Sequence, residues 1–169
     1  SGSPMSWDGI IDMAEQMPQL YAVNREIICE SDVTEFKVKL EKQYCRINVM
    51  VVGLDCRVRI RGDVMGIDMN DLTPLPGLFC VEQSPVIDIH SKSQHFVFDV
   101  PRQIDDSLML EMVVESSGLS PVYTYDLGKR LMESGVDWNK PSLDDVYVNI
   151  EYMDNKFVFE IQNWDKIEL

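Results

Sequence analysis

Strict alternation of apolar and polar residues over short runs constrains this fold more than any other feature of the chain. Tyr44–Val52 places Cys45, Ile47, Val49 and Val51 on one side. Asp55–Arg61 sets Cys56, Val58 and Ile60 against Arg57, Arg59 and Arg61, and Leu108–Glu115 puts Leu108, Leu110, Met112 and Val114 in register. Successive side chains of a β-strand point to opposite faces, so each run reads as a strand with one buried face. Arg25–Ser31, Glu35–Leu40, Val86–His90 and His95–Val100 are further candidates. In Glu35–Leu40, Phe36, Val38 and Leu40 oppose Lys37 and Lys39. Gly53-Leu54-Asp55 suggests a tight hairpin between the Tyr44–Val52 and Asp55–Arg61 strands.

Other signals punctuate the pattern. Ile10, Ala14 and Met17 recur at helical spacing, so a helix is expected from Trp7 to Met17, closed by Pro18. A second helix is expected from Asp126 to Ser134, with Leu127 and Leu131 on one face and Gly135 as its C-terminal stop. Asn70–Pro76, with two prolines, cannot run through a central strand. Val146–Glu151 and Lys156–Trp164 form an aromatic-rich hairpin around Asp154-Asn155, with Phe157 and Phe159 in the core and Tyr152 and Trp164 as surface anchors. The fold class is therefore mainly β with short helices, an α+β chain. The first half is expected to close into a small, bent barrel and the second half to form another β lobe.

The 169 residues suffice for one compact domain or a small two-lobed unit. Fifteen Lys and Arg face 29 Asp and Glu, a formal charge of −14. So acidic a surface repels a phosphate backbone, disfavours nucleic acid and favours a cationic partner. No apolar run reaches the ~18–20 residues of a membrane helix, so no membrane role is expected. Ser1-Gly2-Ser3-Pro4 reads as a cloning remnant, and no secretory leader follows it. Cys29, Cys45, Cys56 and Cys80 contain no C-x-x-C pair, and His90 and His95 follow Cys80 at no zinc spacing. Free thiols in a reducing, intracellular setting follow, with no metal and no cofactor.

Catalytic signatures are missing from the sequence: there is no G-x-S-x-G turn, phosphate-binding glycine loop or H-E-x-x-H helix. Asp105-Asp106 and Asp144-Asp145 read as turn residues, and no nucleophile is tied to His95 by spacing. The expectation is that the chain is not an enzyme. Arg57, Arg59 and Arg61 share a face and either pair with carboxylates across the sheet or form a site for acidic peptide or phosphate.

Tyr44-Cys45-Arg46-Ile47-Asn48-Val49, followed by Arg57–Asp63, Val64–Asn70 and the Leu72–Pro76 segment with Phe79, resembles a Tudor domain. Leu75-Pro76, Phe79 and Pro85-Val86-Ile87 resemble the passage of an extended Tudor domain from barrel to nuclease-like lobe. Leu110–Glu115, the Ser116–Tyr125 loop and the Asp126–Gly135 helix resemble the end of that lobe. The resemblance spans about residues 7–138. It implies a single extended Tudor unit over 5–169, with a Tudor barrel at about 20–80. A staphylococcal-nuclease-like (OB-type) lobe would then occupy about 81–169 together with the N-terminal helix. The closing hairpin would complete that lobe in cis, by exchange with a second copy in a homo-oligomer, or begin a further domain.

Such domains serve scaffolds of the PIWI-interacting-RNA silencing pathway, in cytoplasmic, perinuclear granules (nuage). They grip Arg-rich tails of PIWI-family Argonautes through an aromatic cage. Here the cage positions are Cys45, Arg59, Gly62 and Val64, none of them aromatic. The resemblance thus implies tail binding without arginine methylation, with Glu111 and Glu115 as acidic contacts. A packing or dimerisation module, or an RNA-binding face built on Arg57, Arg59 and Arg61, are the alternatives.

Overall fold

The computed structural model describes residues 8–11, 15–29, 35–115 and 118–163. Its strands, in chain order, are β1 (Tyr21–Ala22), β2 (Glu41–Lys42), β3 (Tyr44–Val52), β4 (Cys56–Ile67), β5 (Pro74–Gln83) and β6 (Val86–Asp88). There follow β7 (Ser93–Pro101), β8 (Met109–Val114), β9 (Val122–Asp126), the helix α1 (Leu127–Glu133), β10 (Val146–Met153) and β11 (Lys156–Asn163). β1 and β2 form a small ribbon; the long strands divide between two sheets, ordered β11-β10-β3-β7-β6 and β5-β4-β8-β9.

The apolar faces of the two sheets share one core. Ile47, Val49, Val51, Phe96, Phe98, Val146, Val148 and Ile150 come from the five-stranded sheet. Val58, Ile60, Phe79, Val81, Leu110 and Met112 come from the other. This is a β-sandwich, in which each alternating strand buries one face against the facing sheet. Leu127 and Leu131 of α1, with Trp138 and Leu143, are buried in the same core. The helix starts where the Asp126 carboxylate accepts the Lys129 N–H and stops at Gly135, whose φ of +94° suits glycine.

The mainly β class holds, but no barrel closes among the described residues. The physical reason lies at Gly53-Leu54-Asp55. A hairpin would lay the apolar faces of β3 and β4 side by side. Instead the connection, with Gly53 at φ +86°, carries the chain from one sheet to the other, so that the two faces meet across the interior. Alternation reports that a strand has a dry face, not which neighbour it pairs with.

The early elements also differ from expectation. Residues 8–11 and 15–17 are not helical; the remainder of the expected Trp7–Met17 helix lies outside the described residues. Instead Ile11 N–H donates to the Met65 carbonyl at 2.7 Å and Ile67 N–H to the Gly9 carbonyl at 2.8 Å, so the segment lies against the end of β4. Ile11 and Met17 join Tyr44 and Ile67 in a second, small core. No strand forms over 25–29 or 35–40, where Ile27, Phe36, Val38 and Leu40 are exposed. Residues 30–31 lie outside the described set.

Pro74 and Pro76 sit in β5, which pairs only with β4 and is therefore an edge strand, where a missing N–H costs no ladder bond. The closing hairpin turns at Asp154 and Asn155, both at positive φ, as a two-residue turn matching strand twist requires. Within the chain it completes the five-stranded sheet: β10 runs parallel to β3, Val146 opposite Ile47 and Ile150 opposite Val51.

Candidate functional site

Across the outer face of the four-stranded sheet, the three arginines of β4 meet carboxylates on both neighbours. Register places Arg59 opposite Glu111 on β8 and Glu82 on β5. Glu111 accepts from Arg59 and, at 2.8 Å, from Arg61; Arg57 lies 3.2 Å from both Glu82 and Glu115. Burial alone would raise the Glu111 carboxyl, but the two guanidiniums outweigh it and hold the group below its usual range. This face is a ladder of internal ion pairs.

The four expected cage positions do not surround one opening. Cys45 is buried in the core face of β3, where desolvation pushes its thiol up to about 12. Gly62 and Val64 are buried on β4 in the other sheet, while Arg59 reaches the solvent-facing ladder. A side chain at Gly62 would meet Phe79 at 2.8 Å and Leu108 at 2.9 Å. The two acidic positions, Glu111 and Glu115, hold the chain's own arginines.

A different region has the form of a binding site. On the outer face of the five-stranded sheet, Asn48, Met50, His95, Val97, Tyr147, Asn149 and Gln162 border a trough of about 330 Å³. Its rows follow strand register: Gln162, Tyr147, Asn48 and Val97 lie side by side, and Asn149, Met50 and His95 form the next row, which Glu160 of β11 extends beyond the trough. None of the residues lining it is Asp, Glu, Lys or Arg, in a chain where 26% of residues are charged. Asn48 spends one amide hydrogen on the Val146 carbonyl at 3.3 Å, and Asn149 one on Glu151 at 3.2 Å. Asn149 Oδ1 is buried and accepts no hydrogen bond among the described residues.

At one end of this trough a hydroxyl chain fixes the state of His95. Ser91 Oγ donates to Asp88 at 2.7 Å, Ser91 and Ser93 hydroxyls lie 2.6 Å apart, and Ser93 Oγ is 3.0 Å from His95 Nε2. The Asp88 carboxyl is held low, first by the Ser91 hydroxyl and then by the His90 N–H. An ionised carboxylate only accepts, so the single Ser91 hydrogen goes to it. Ser93 must then donate to Ser91, and its oxygen can only accept from His95. Nε2 therefore carries the proton, and in the neutral ring Nδ1 is left as acceptor.

No nucleophile was tied to His95 in the sequence; Ser93 lies two residues before it on β7, and the β6–β7 hairpin brings Asp88 to the chain of hydroxyls. Yet the carboxylate lies beyond the serine rather than beyond the imidazole, and Ser93 is 1% exposed. That order neither orients the histidine as a base nor exposes a hydroxyl to substrate. Asn48, Asn149, Tyr147 and Gln162 were not among the expected site residues. The signal available was only local: outward positions 48 and 50, 95 and 97, and 147 and 149 lack Asp, Glu, Lys and Arg, while Arg46, Asp99 and Glu151 stand further along the same faces.

No family model and no curated protein matches the chain. Among solved structures, the fimbrial anchor protein Mfa2 from Porphyromonas gingivalis superposes with a TM-score of 0.53 at 13% identity, covering 74% of this chain and 48% of that one. A candidate cell adhesion protein from Bacteroides uniformis gives 0.42 at 9% identity, covering 74% and 52%. Another from Bacteroides fragilis gives 0.45 at 13%, covering 77% and 48%. The chain thus spans about half the length of the structures it matches. The first superposition, at such low identity, shows a likeness of fold.

That likeness corrects the Tudor reading. The sandwich, with β3 and β4 in opposite sheets, shares its fold with the fimbrial anchor protein over 74% of the chain and is not a barrel joined to a nuclease-like lobe. The functional expectations that the resemblance carried are overturned with it: binding of a PIWI-family Argonaute tail, a place in small-RNA silencing, and residence in cytoplasmic nuage granules. The motif positions had matched in order and spacing, but spacing along the chain does not decide which strands pair.

Proposed function

We propose that the chain is a non-enzymatic β-sandwich module of a bacterial cell-surface assembly, of the fimbrial-anchor or adhesion kind. The observation that carries this reading is the superposition on the fimbrial anchor protein over three-quarters of the chain. The uncharged trough on an outer sheet face supports it, because a broad face carried on inner strands is rigid and suited to binding rather than to chemistry. The buried Ser93, with its carboxylate on the wrong side for a catalytic triad, supports the non-enzymatic part. The partner is then another surface or fimbrial component in place of an intracellular peptide.

The test is location and association in the producing bacterium. Protease treatment and antibody labelling of intact cells should reach the protein, and it should co-purify with sheared surface appendages. Full protection from protease in intact cells, with recovery in the soluble cytoplasmic fraction, would refute the reading.

A further inference from the structure

We propose that the trough on the five-stranded sheet is a binding site for a neutral sugar, a mono- or disaccharide unit of a larger glycan. The inference names the ligand class of the site above and rests on the adhesion reading. Three observations carry it. First, the lining holds no Asp, Glu, Lys or Arg, and the charged groups nearest Asn149 are the carboxylates of Glu151 and Glu160, so an acidic sugar or other anion would find no Lys or Arg there. Second, Met50 and Val97 are interleaved with Asn48, Asn149 and Gln162. Apolar patches and amides so interleaved match a pyranose, which has a C–H face and a hydroxyl rim.

Third, the unspent groups are acceptors. Asn149 Oδ1 is buried without a partner, and the hydroxyl chain leaves His95 with Nδ1 as its acceptor when neutral. The two residues belong to one cross-strand row, two strand spacings or about 10 Å apart. A ligand meeting both presents hydroxyl donors at both ends. A peptide laid on this face would fare worse. β3 and β10 are inner strands flanked on both sides, so over them a peptide's own N–H and C=O groups would go unmatched. A sugar hydroxyl, by contrast, turns to donate or accept as needed.

The experiment is amide-correlation NMR of the full chain with the methyl glycosides of glucose, galactose, mannose and N-acetylglucosamine at millimolar concentration. An array of neutral and sialylated oligosaccharides runs beside it. At least one neutral sugar should shift resonances of residues 48–50, 95–97 and 147–149 together with the Asn149 and Gln162 side-chain amides. Asn149→Leu, which removes the acceptor while keeping the number and branching of side-chain heavy atoms, should weaken that binding at least tenfold. Should that variant fail to fold, Val97→Glu, at a partly exposed position, should do the same by placing a charge in the trough.

The proposal is overturned if none of these sugars binds, if the shifts map elsewhere, or if only sialylated glycans bind. It falls equally if the trough variants bind as well as the parent, or if a protein segment occupies the trough. Sugar binding by a protein that proves cytoplasmic would sink the surface reading alone; surface location without sugar binding would sink this inference alone.

Discussion

Replacing Ile150 by alanine tests the least expected feature of the fold, the parallel seat of β10 beside β3. Ile150 is fully buried in the main core, opposite Val51 in the β3 register. Removing its side chain forfeits the transfer free energy of the lost carbons and leaves a cavity, together about 2–5 kcal/mol. For a chain of this size each kcal/mol lowers the melting temperature by ~2–4 °C, so a fall of roughly 4–20 °C is expected. Val158 is the control: it lies one strand further out and is partly exposed, so Val158→Ala should cost under about 0.5 kcal/mol. Urea and thermal denaturation followed by circular dichroism give both numbers. Equal, small effects from the two variants would show that the hairpin does not cover β3, and the five-stranded sheet would have to be redrawn.

Glu111→Gln should lower stability by about 1–2 kcal/mol at neutral pH, since the arginines it holds are half-exposed and screened by solvent. Because the folded carboxyl is depressed, that contribution is fully present above the unfolded carboxylate range. It is lost as pH falls through the folded value, so parent and variant should converge in acid, measured by urea midpoints across pH. Gly62→Ala should destabilise by ~1–3 kcal/mol through overpacking against Phe79 and Leu108, read by the same melts; an unchanged midpoint would mean that these neighbours yield freely. In native protein a thiol reagent should modify the exposed Cys29 quickly and spare Cys45 and Cys56. Burial raises those two thiols to about 12 and about 11, and denaturant should release both. Rapid native labelling of Cys45 would contradict the core placement.

Much of the local structure was legible in the residues. β3 matches the expected Tyr44–Val52 run residue for residue, and α1 with its Asp126 cap and Gly135 stop matches the expected helix within a residue at each end. The turn at Asp154-Asn155 was legible because few residue pairs accept positive φ twice in succession. Pairing was not legible. Cys45 through Val51 and Cys56 through Ile60 show the same alternation whether two strands lie side by side or face to face. Glu35–Leu40 alternates as cleanly as β3 yet stays exposed, since a strand exists only where a neighbour supplies its hydrogen bonds. The trough escaped notice because it is made of residues about a hundred positions apart, Asn48 and Asn149 among them, which the parallel pairing alone unites.

That same β3–β10 union has a consequence for how the molecule is made. A ribosome delivers Ile47 about a hundred residues before Val146, so the growing polypeptide carries one side of β3 with no mate until β10 emerges. Contacts so distant along the chain slow the conformational search and leave greasy strand borders uncovered meanwhile. A nascent chain of this design cannot close its five-stranded sheet until β10 has been made, which leaves a window for a chaperone to hold it open.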